Sequence, residues 1–128
     1  KAFALLPCRW AIEQAPSPAM LMTANIQYPL LDDTRFKALD GKDTLVPATL
    51  SHIILTGILR NKMGYQGIIV TDALDMAGIA HYVDHKNAVI KTFNAGADIA
   101  LMPYAVRNPQ SISRFWELYK QWVQAMSS

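Results

Sequence analysis

A single cysteine, Cys8, occurs in the 128 residues. One thiol cannot close an internal disulfide, and without closely spaced histidines it cannot build a zinc site. No His or Asn constellation points to Cys8 as a nucleophile, so it reads as a small residue in a helix. Charge is sparse: 12 Lys and Arg against 10 Asp and Glu leave a formal net charge of +2. That balance supplies no field for nucleic acid or an anionic membrane. No basic run with interleaved aromatics is present, and no motif asks for a metal or another cofactor. No apolar run approaches the ~20 residues of a membrane-crossing helix. The opening Lys1-Ala2-Phe3-Ala4-Leu5-Leu6 is broken at once by Pro7 and Arg9, which makes a poor signal peptide and a better helix. What is abundant is apolar: 52% of residues are hydrophobic and 17% charged, as in a globular chain of about one domain.

Along the chain, apolar groups at helical spacing predict a helix over residues 3–15, ended by Pro16-Ser17-Pro18. Residues 19–26, bracketed by Pro18 and Pro29, read as a buried strand. Residues 27–48 read as one long irregular loop, of the kind that is usually functional or a lid. Pro47-Ala48-Thr49-Leu50-Ser51 opens a helix that runs to Met63, with Gly64 as the residue past its end. A strand over 67–72, a loop over 73–84, a helix over 85–95 and a strand over 97–102 follow. The last helix covers 110–125, capped by Ser111 or Asn108. The order α-β-α-β-α-β-α predicts an α/β fold with a parallel sheet.

Gly67-Ile68-Ile69-Val70-Thr71-Asp72-Ala73-Leu74-Asp75 organises this pattern. Its apolar core suits a strand buried on both faces, which is the parallel case. Asp72 then stands at the carboxyl end of that strand, where parallel α/β sheets and barrels bind ligands. Taken alone, the nonamer favours an aspartate that caps the next element. The rest of the chain shifts that balance.

Residues 58–75, Ile-Leu-Arg-Asn-Lys-Met-Gly-Tyr-Gln-Gly-Ile-Ile-Val-Thr-Asp-Ala-Leu-Asp, resemble the active-site signature of family-3 glycoside hydrolases, and more narrowly that of the bacterial β-N-acetylhexosaminidase branch. Residues 22–32, Met-Thr-Ala-Asn-Ile-Gln-Tyr-Pro-Leu-Leu-Asp, are similar to that branch's sixth strand. Residues 47–51 are similar to the start of the helix after it, and Ala95-Gly96-Ala97-Asp98-Ile99-Ala100-Leu101-Met102-Pro103 to the eighth strand. The resemblance implies that residues 1–128 form the closing portion, strands six to eight, of a TIM (β/α)8 barrel. It implies retaining hydrolysis of a terminal β-linked N-acetylglucosamine, with Asp72 as nucleophile. The carbohydrate would be the partner, peptidoglycan and chitin fragments both being compatible. Asn25, at the end of strand six where the family more often has His, and Met76 are candidate substrate-binding residues. The bacterial cytoplasm is favoured over the cell envelope as the compartment.

The branch's acid/base motif, Lys-His-Phe-Pro-Gly-His-Gly, is absent from the 128 residues. His52 reads as an exposed or helix-packed residue. His81 and His85 follow Asp72 but do not occupy the acid/base position. The isolated chain is therefore expected to be inactive. Cut from a barrel, it is expected to expose two sheet edges and to self-associate. A chain that begins at Lys1 without Met also reads as processed, or as a piece of something longer. Two alternatives of other classes stand beside this reading. A receiver-like phosphoacceptor module fits the length and the strand-end Asp, but its acidic pair after the first strand is missing. A non-catalytic sugar-binding or interaction module fits the absent acid/base.

Overall fold

The computed structural model describes residues 2–127; Lys1 and Ser128 lie outside the described residues. In chain order the elements are α1 (Ala2–Glu13), β1 (Met20–Met22), β2 (Arg35–Lys37) and β3 (Asp43–Leu45). A 3₁₀ turn (Ala48–Leu50) and a π-wound helix (Ile53–Lys62) lead to β4 (Ile68–Val70). Then come α2 (Ala77–Ala80), α3 (His85–Ala95) and α4 (Pro109–Met126). The fold is α/β with a parallel sheet, as the alternation predicts.

β1 and β4 pair in parallel, with Met20 opposite Ile68 and Met22 opposite Val70. Side chains alternate between faces along such strands. Leu21 and Ile69 therefore point to one face, where they join Ile54, Leu55 and Ile58 of the π-wound helix. Leu5 and Ile12 of α1 pack into the same cluster. Met20, Met22, Ile68 and Ile99 remain exposed, while Val70, on the face of Met22 and Ile68, is buried. A second cluster holds Leu50, Leu74, Ile79, Val83 and Val89, closed by Leu118 and Trp122 of α4.

The strand expected over 97–102 contracts to one parallel bridge, Val70 to Ile99. Side chains take the places of ladder rungs. The Asp98 carboxylate accepts Ile69 N–H at 2.8 Å, and the Thr71 hydroxyl accepts Leu101 N–H at 2.9 Å. The segment still lies beside β4, since Thr71 N–H donates to Ile99 C=O at 3.0 Å. β4 is thus the central line, with β1 on one side and residues 97–101 on the other.

The strand expected over 19–26 stops at Met22, one further backbone bond running from Thr23 N–H to Val70 C=O at 2.9 Å. Residues 27–48 are not irregular throughout: β2 and β3 form an antiparallel hairpin in which Arg35 faces Leu45. Its turn contains Asp40-Gly41, and Gly41 has a φ of 81°, a conformation open to glycine without strain. The 73–84 loop contains α2, one turn whose Ile79 is fully buried.

Both later helices are capped, α4 by the residues expected there. Asp84 accepts Asn87 N–H at 2.9 Å at the start of α3, and Gly96 closes it with a φ of 116°. Asn108 and Ser111 cap α4 together in a reciprocal capping box. Burial pushes the Asp84 carboxyl up, but the hydrogen bonds from Asn87 outweigh it and hold it below its usual range. Of the three tryptophans, Trp122 is core, while Trp10 and Trp116 are exposed.

Candidate active site

Asp72 follows the carboxyl end of β4. The residue before it, Thr71, is fully buried and pinned from 97–101 by the two bonds just described. The next residues are held as well: Leu74 N–H donates to Leu101 C=O at 3.0 Å. Asp72 itself is partly buried. Its Oδ1 accepts Ala73 N–H at 2.8 Å. Its Oδ2 has no hydrogen-bond partner among the described residues, and no cation pairs with the carboxylate there. A carboxylate fixed on a rigid element, with one oxygen held and the other available, is the geometry that attack on a positioned carbon requires.

Asn25 lies against the same turn. Its Nδ2 donates to Ala73 C=O at 2.7 Å, and its Oδ1 accepts the Thr49 hydroxyl at 2.7 Å. The Thr49 hydroxyl lies 2.7 Å from that of Thr23. Asn25 is 9% exposed, and a Cβ added at Gly78 would stand 2.6 Å from its carbonyl oxygen. The start of α2 is therefore packed directly on Asn25. Met76, the residue before α2, is about half exposed, and its carbonyl accepts Ile79 and Ala80 N–H groups. The structure thus brings Asp72, Asn25 and Met76 to one turn. The Thr23–Thr49 pair was not singled out in the sequence, where those hydroxyls read as part of a strand and a helix start.

The histidines are elsewhere. His52 Nδ1 donates to Asn94 C=O at 3.2 Å, and His85 Nδ1 donates to Pro103 C=O at 3.0 Å. His85 also meets Tyr104 edge-on at 4.9 Å. His81 is exposed at the end of α2. None of the three bonds to Asp72. Asp32 is buried in the 27–48 segment, where Oδ1 accepts Thr34 N–H at 2.9 Å and Oδ2 accepts the Ser51 hydroxyl at 2.5 Å. Burial pushes its carboxyl up, yet the bonds from Ser51 and Thr34 prevail and hold it below its usual range. Asp32 ties down the long segment. Among the described residues no cluster of three His, Cys, Asp or Glu side chains could hold a metal ion. Among them too, no helix is long and apolar enough to cross a membrane.

The sequence matches the profile of the "Glycosyl hydrolase family 3 N terminal domain" over residues 1–127. It is 48% identical over 124 residues to Beta-hexosaminidase A of Pseudoalteromonas piscicida, covering 97% of this chain and 21% of that protein. It is 36% identical over 85 residues to the Beta-hexosaminidase of Chromobacterium violaceum, covering 64% of this chain and 20% of that one. The chain therefore spans about a fifth of the length of these curated relatives. Among solved structures, the beta-N-acetylglucosaminidase of Thermotoga maritima superposes with a TM-score of 0.70 at 26% identity, over 94% of this chain and 23% of that one. CbsA of Thermotoga neapolitana gives a TM-score of 0.70 at 28% identity, over 96% and 24%. With the profile matched almost from end to end, the chain belongs to glycosyl hydrolase family 3, within its N-terminal domain.

Proposed function

We propose that the chain is the closing portion of the barrel of a retaining β-N-acetylhexosaminidase, with β1, β4 and residues 97–101 as strands six to eight. Asp72 is the nucleophile. One observation carries this reading: Asp72 stands at the carboxyl end of the central parallel strand, with Oδ1 held by Ala73 and Oδ2 unpartnered among the described residues. The relatives named beta-hexosaminidase and the solved beta-N-acetylglucosaminidase support the substrate class, a terminal β-linked N-acetylhexosamine.

In the reaction, Asp72 attacks the anomeric carbon while an acid from elsewhere in the longer protein protonates the leaving oxygen. The glycosyl-enzyme ester that forms is then hydrolysed by water. In retaining enzymes the two groups stand ~5–5.5 Å apart. Met76 offers an apolar surface beside the sugar, and Asn25 acts from behind through Ala73. The receiver-like alternative has no support among the relatives.

In the longer protein, Asp72→Ala should abolish turnover of an aryl N-acetylglucosaminide. Acid-quenched wild-type protein should carry a hexosamine adduct on the peptide containing Asp72. Full activity in the variant would refute the assignment. The isolated chain should be inactive, since general acid catalysis alone contributes ~10²–10⁴-fold.

The isolated chain should also self-associate. The free edge of β1 and the exposed Met20, Met22, Ile68 and Ile99 face solvent together. Light scattering behind a sizing column should give a dimer or larger. A 14.3 kDa monomer at all concentrations would overturn this expectation.

A further inference from the structure

The hydroxyls and amide behind Asp72 form one directed relay. Thr49 has a single hydroxyl hydrogen, and it is donated to Asn25 Oδ1. The Thr23 hydroxyl must then be the donor in the Thr23–Thr49 contact. Asn25 Nδ2 passes the bonding on to Ala73 C=O. Turning the Asn25 amide over would set its oxygen against that carbonyl, so Ala73 and Thr49 together fix which way it points. The series runs Thr23 to Thr49 to Asn25 to Ala73, and from Ala73 N–H to Asp72 Oδ1. Each of the first three contacts is 2.7 Å long.

Ala73 is thus gripped on both of its peptide planes. Its N–H holds the Asp72 carboxylate, and its C=O is held by Asn25. The other hydrogen bond reaching that carbonyl, from Met76 N–H, is long at 3.3 Å. Without the Asn25 amide, the plane between Ala73 and Leu74 loses its shortest hydrogen bond and keeps Leu74 N–H to Leu101 C=O at 3.0 Å as its remaining firm anchor. The plane that orients Asp72 shares the Ala73 Cα with it and is expected to tilt with any rotation of that carbonyl.

Asn25 is also poorly placed to serve a sugar directly. Both ends of its amide are engaged within the chain, and Gly78 packs on its backbone. Thr49 is fully buried. We infer that Asn25, oriented by Thr49, is a positioning residue that sets the aim of the Asp72 carboxylate through the Ala73 peptide. This rests on Asp72 being the nucleophile.

The test uses the longer protein and an aryl N-acetylglucosaminide, with kcat and KM measured separately. Misplacement of a reacting group by ~1 Å costs about 10²-fold. Asn25→Ala and Thr49→Val should therefore lower kcat by roughly 10- to 100-fold, with KM little changed. Thr49→Ser keeps the hydroxyl and should restore kcat to near the wild-type value. Loss of packing alone would not separate Ser from Val in this way.

A raised KM at unchanged kcat in Asn25→Ala would assign Asn25 to the sugar and overturn the inference. So would equal kcat values for Thr49→Val and Thr49→Ser. Should Asn25→Ala fail to fold, the Thr49 pair decides alone. The two readings fail separately. An active Asp72→Ala removes the nucleophile assignment. An inactive Asp72→Ala beside fully active Asn25→Ala and Thr49→Val removes only the positioning role.

Discussion

β4 is held at its two ends by different chemistry. At its foot, Arg60 donates to the carbonyls of Tyr65 at 3.0 Å and Gly67 at 2.6 Å. The same guanidinium pairs with Asp98 Oδ2 at 2.6 Å, and that oxygen also accepts Ile69 N–H at 2.8 Å. Arg60 lies 5.6 Å over the ring of Tyr65, whose hydroxyl is held protonated to higher pH by burial. At its head, the partners of the Asp72 turn are hydroxyls, an amide and peptide groups, all neutral. The foot has a carboxylate whose charge is matched. The head has one whose charge is not.

The difference accords with the role proposed for Asp72 as nucleophile and with Asp98 as a structural brace. An ion-paired aspartate is stabilised in its ground state and is the poorer nucleophile for it. A neutral relay can fix direction without quenching charge. In parallel barrels chemistry sits at the carboxyl ends of the strands and the opposite face serves stability. The barrel position proposed for β4 would account for the choice of hydrogen-bond donors at its two ends.

The sharpest way to break this comparison is to remove each end in turn from the longer protein. Asp72→Ala should reduce turnover by several orders of magnitude, as loss of a covalent nucleophile does. Its melting temperature should stay close to the wild-type value, because the lost side chain makes one local bond. Arg60→Ala should do the reverse. It leaves two carbonyls without their donor and Asp98 with only Ile69 N–H, at a partly exposed site, a cost of about 2–3 kcal/mol. At a temperature where the variant is folded, kcat should change by less than about twofold, far below one pKa unit's worth of free energy. A stable Arg60→Ala with impaired kcat would show that the two ends are coupled.

Asp32 gives an intermediate case. Its donors are neutral, as at the head, but both of its oxygens are occupied, as in a structural carboxylate. Its depressed pKa contributes stability that is fully present above the ordinary Asp value of about 3.9 and is lost as pH falls through the depressed one. Ser51→Ala removes the donor to Oδ2 and the bond from Ile54 N–H to the Ser51 hydroxyl. It should cost about 1.5–3 kcal/mol near neutrality. The gap in melting temperature from the wild type should narrow as pH falls from the ordinary Asp value through the depressed one, below which both proteins hold a protonated Asp32. A gap that stayed constant would mean that the Asp32–Ser51 bond carries little of the stability.

Much of the frame was legible in the sequence because local signals agreed there. α3 runs over residues 85–95, where spacing predicts it. Asn108 and Ser111, offered as alternatives for capping α4, act together. The apolar run put Asp72 at a strand end, but taken alone it favours a capping aspartate, and the nucleophile expectation rests on the family resemblance. What escaped were features set by side chains that replace backbone. Asp98 and Thr71 take rungs that a pattern of apolar residues assigns to a strand. The Asp40-Gly41 turn was readable, but the strands beside it are only three residues each. The relay of Thr23, Thr49 and Asn25 joins residues far apart in sequence, so no local period records it.

Two buried threonines offer the finest test of the contrast. Thr49 and Thr92 are both fully buried. The Thr49 hydroxyl is wired into the head of β4, whereas Thr92 Oγ1 has no hydrogen-bond partner among the described residues. The same change to valine should therefore have opposite effects on stability. In Thr49→Val the Asn25 amide oxygen and the Thr23 hydroxyl lose their partner, and a buried group left unsatisfied costs ~1–3 kcal/mol. In Thr92→Val a hydroxyl that gains nothing from the folded state is replaced by a methyl of nearly the same shape. The folded state should gain a few tenths of a kcal/mol, up to about 1, because the desolvation cost of that hydroxyl disappears. Turnover should be unaffected, since Thr92 takes no part in the relay. Paired thermal melts of the two variants would measure the difference directly. Destabilisation by Thr92→Val as large as that by Thr49→Val would mean that burial, and not connection to the Asp72 turn, sets the value of a hydroxyl in this fold.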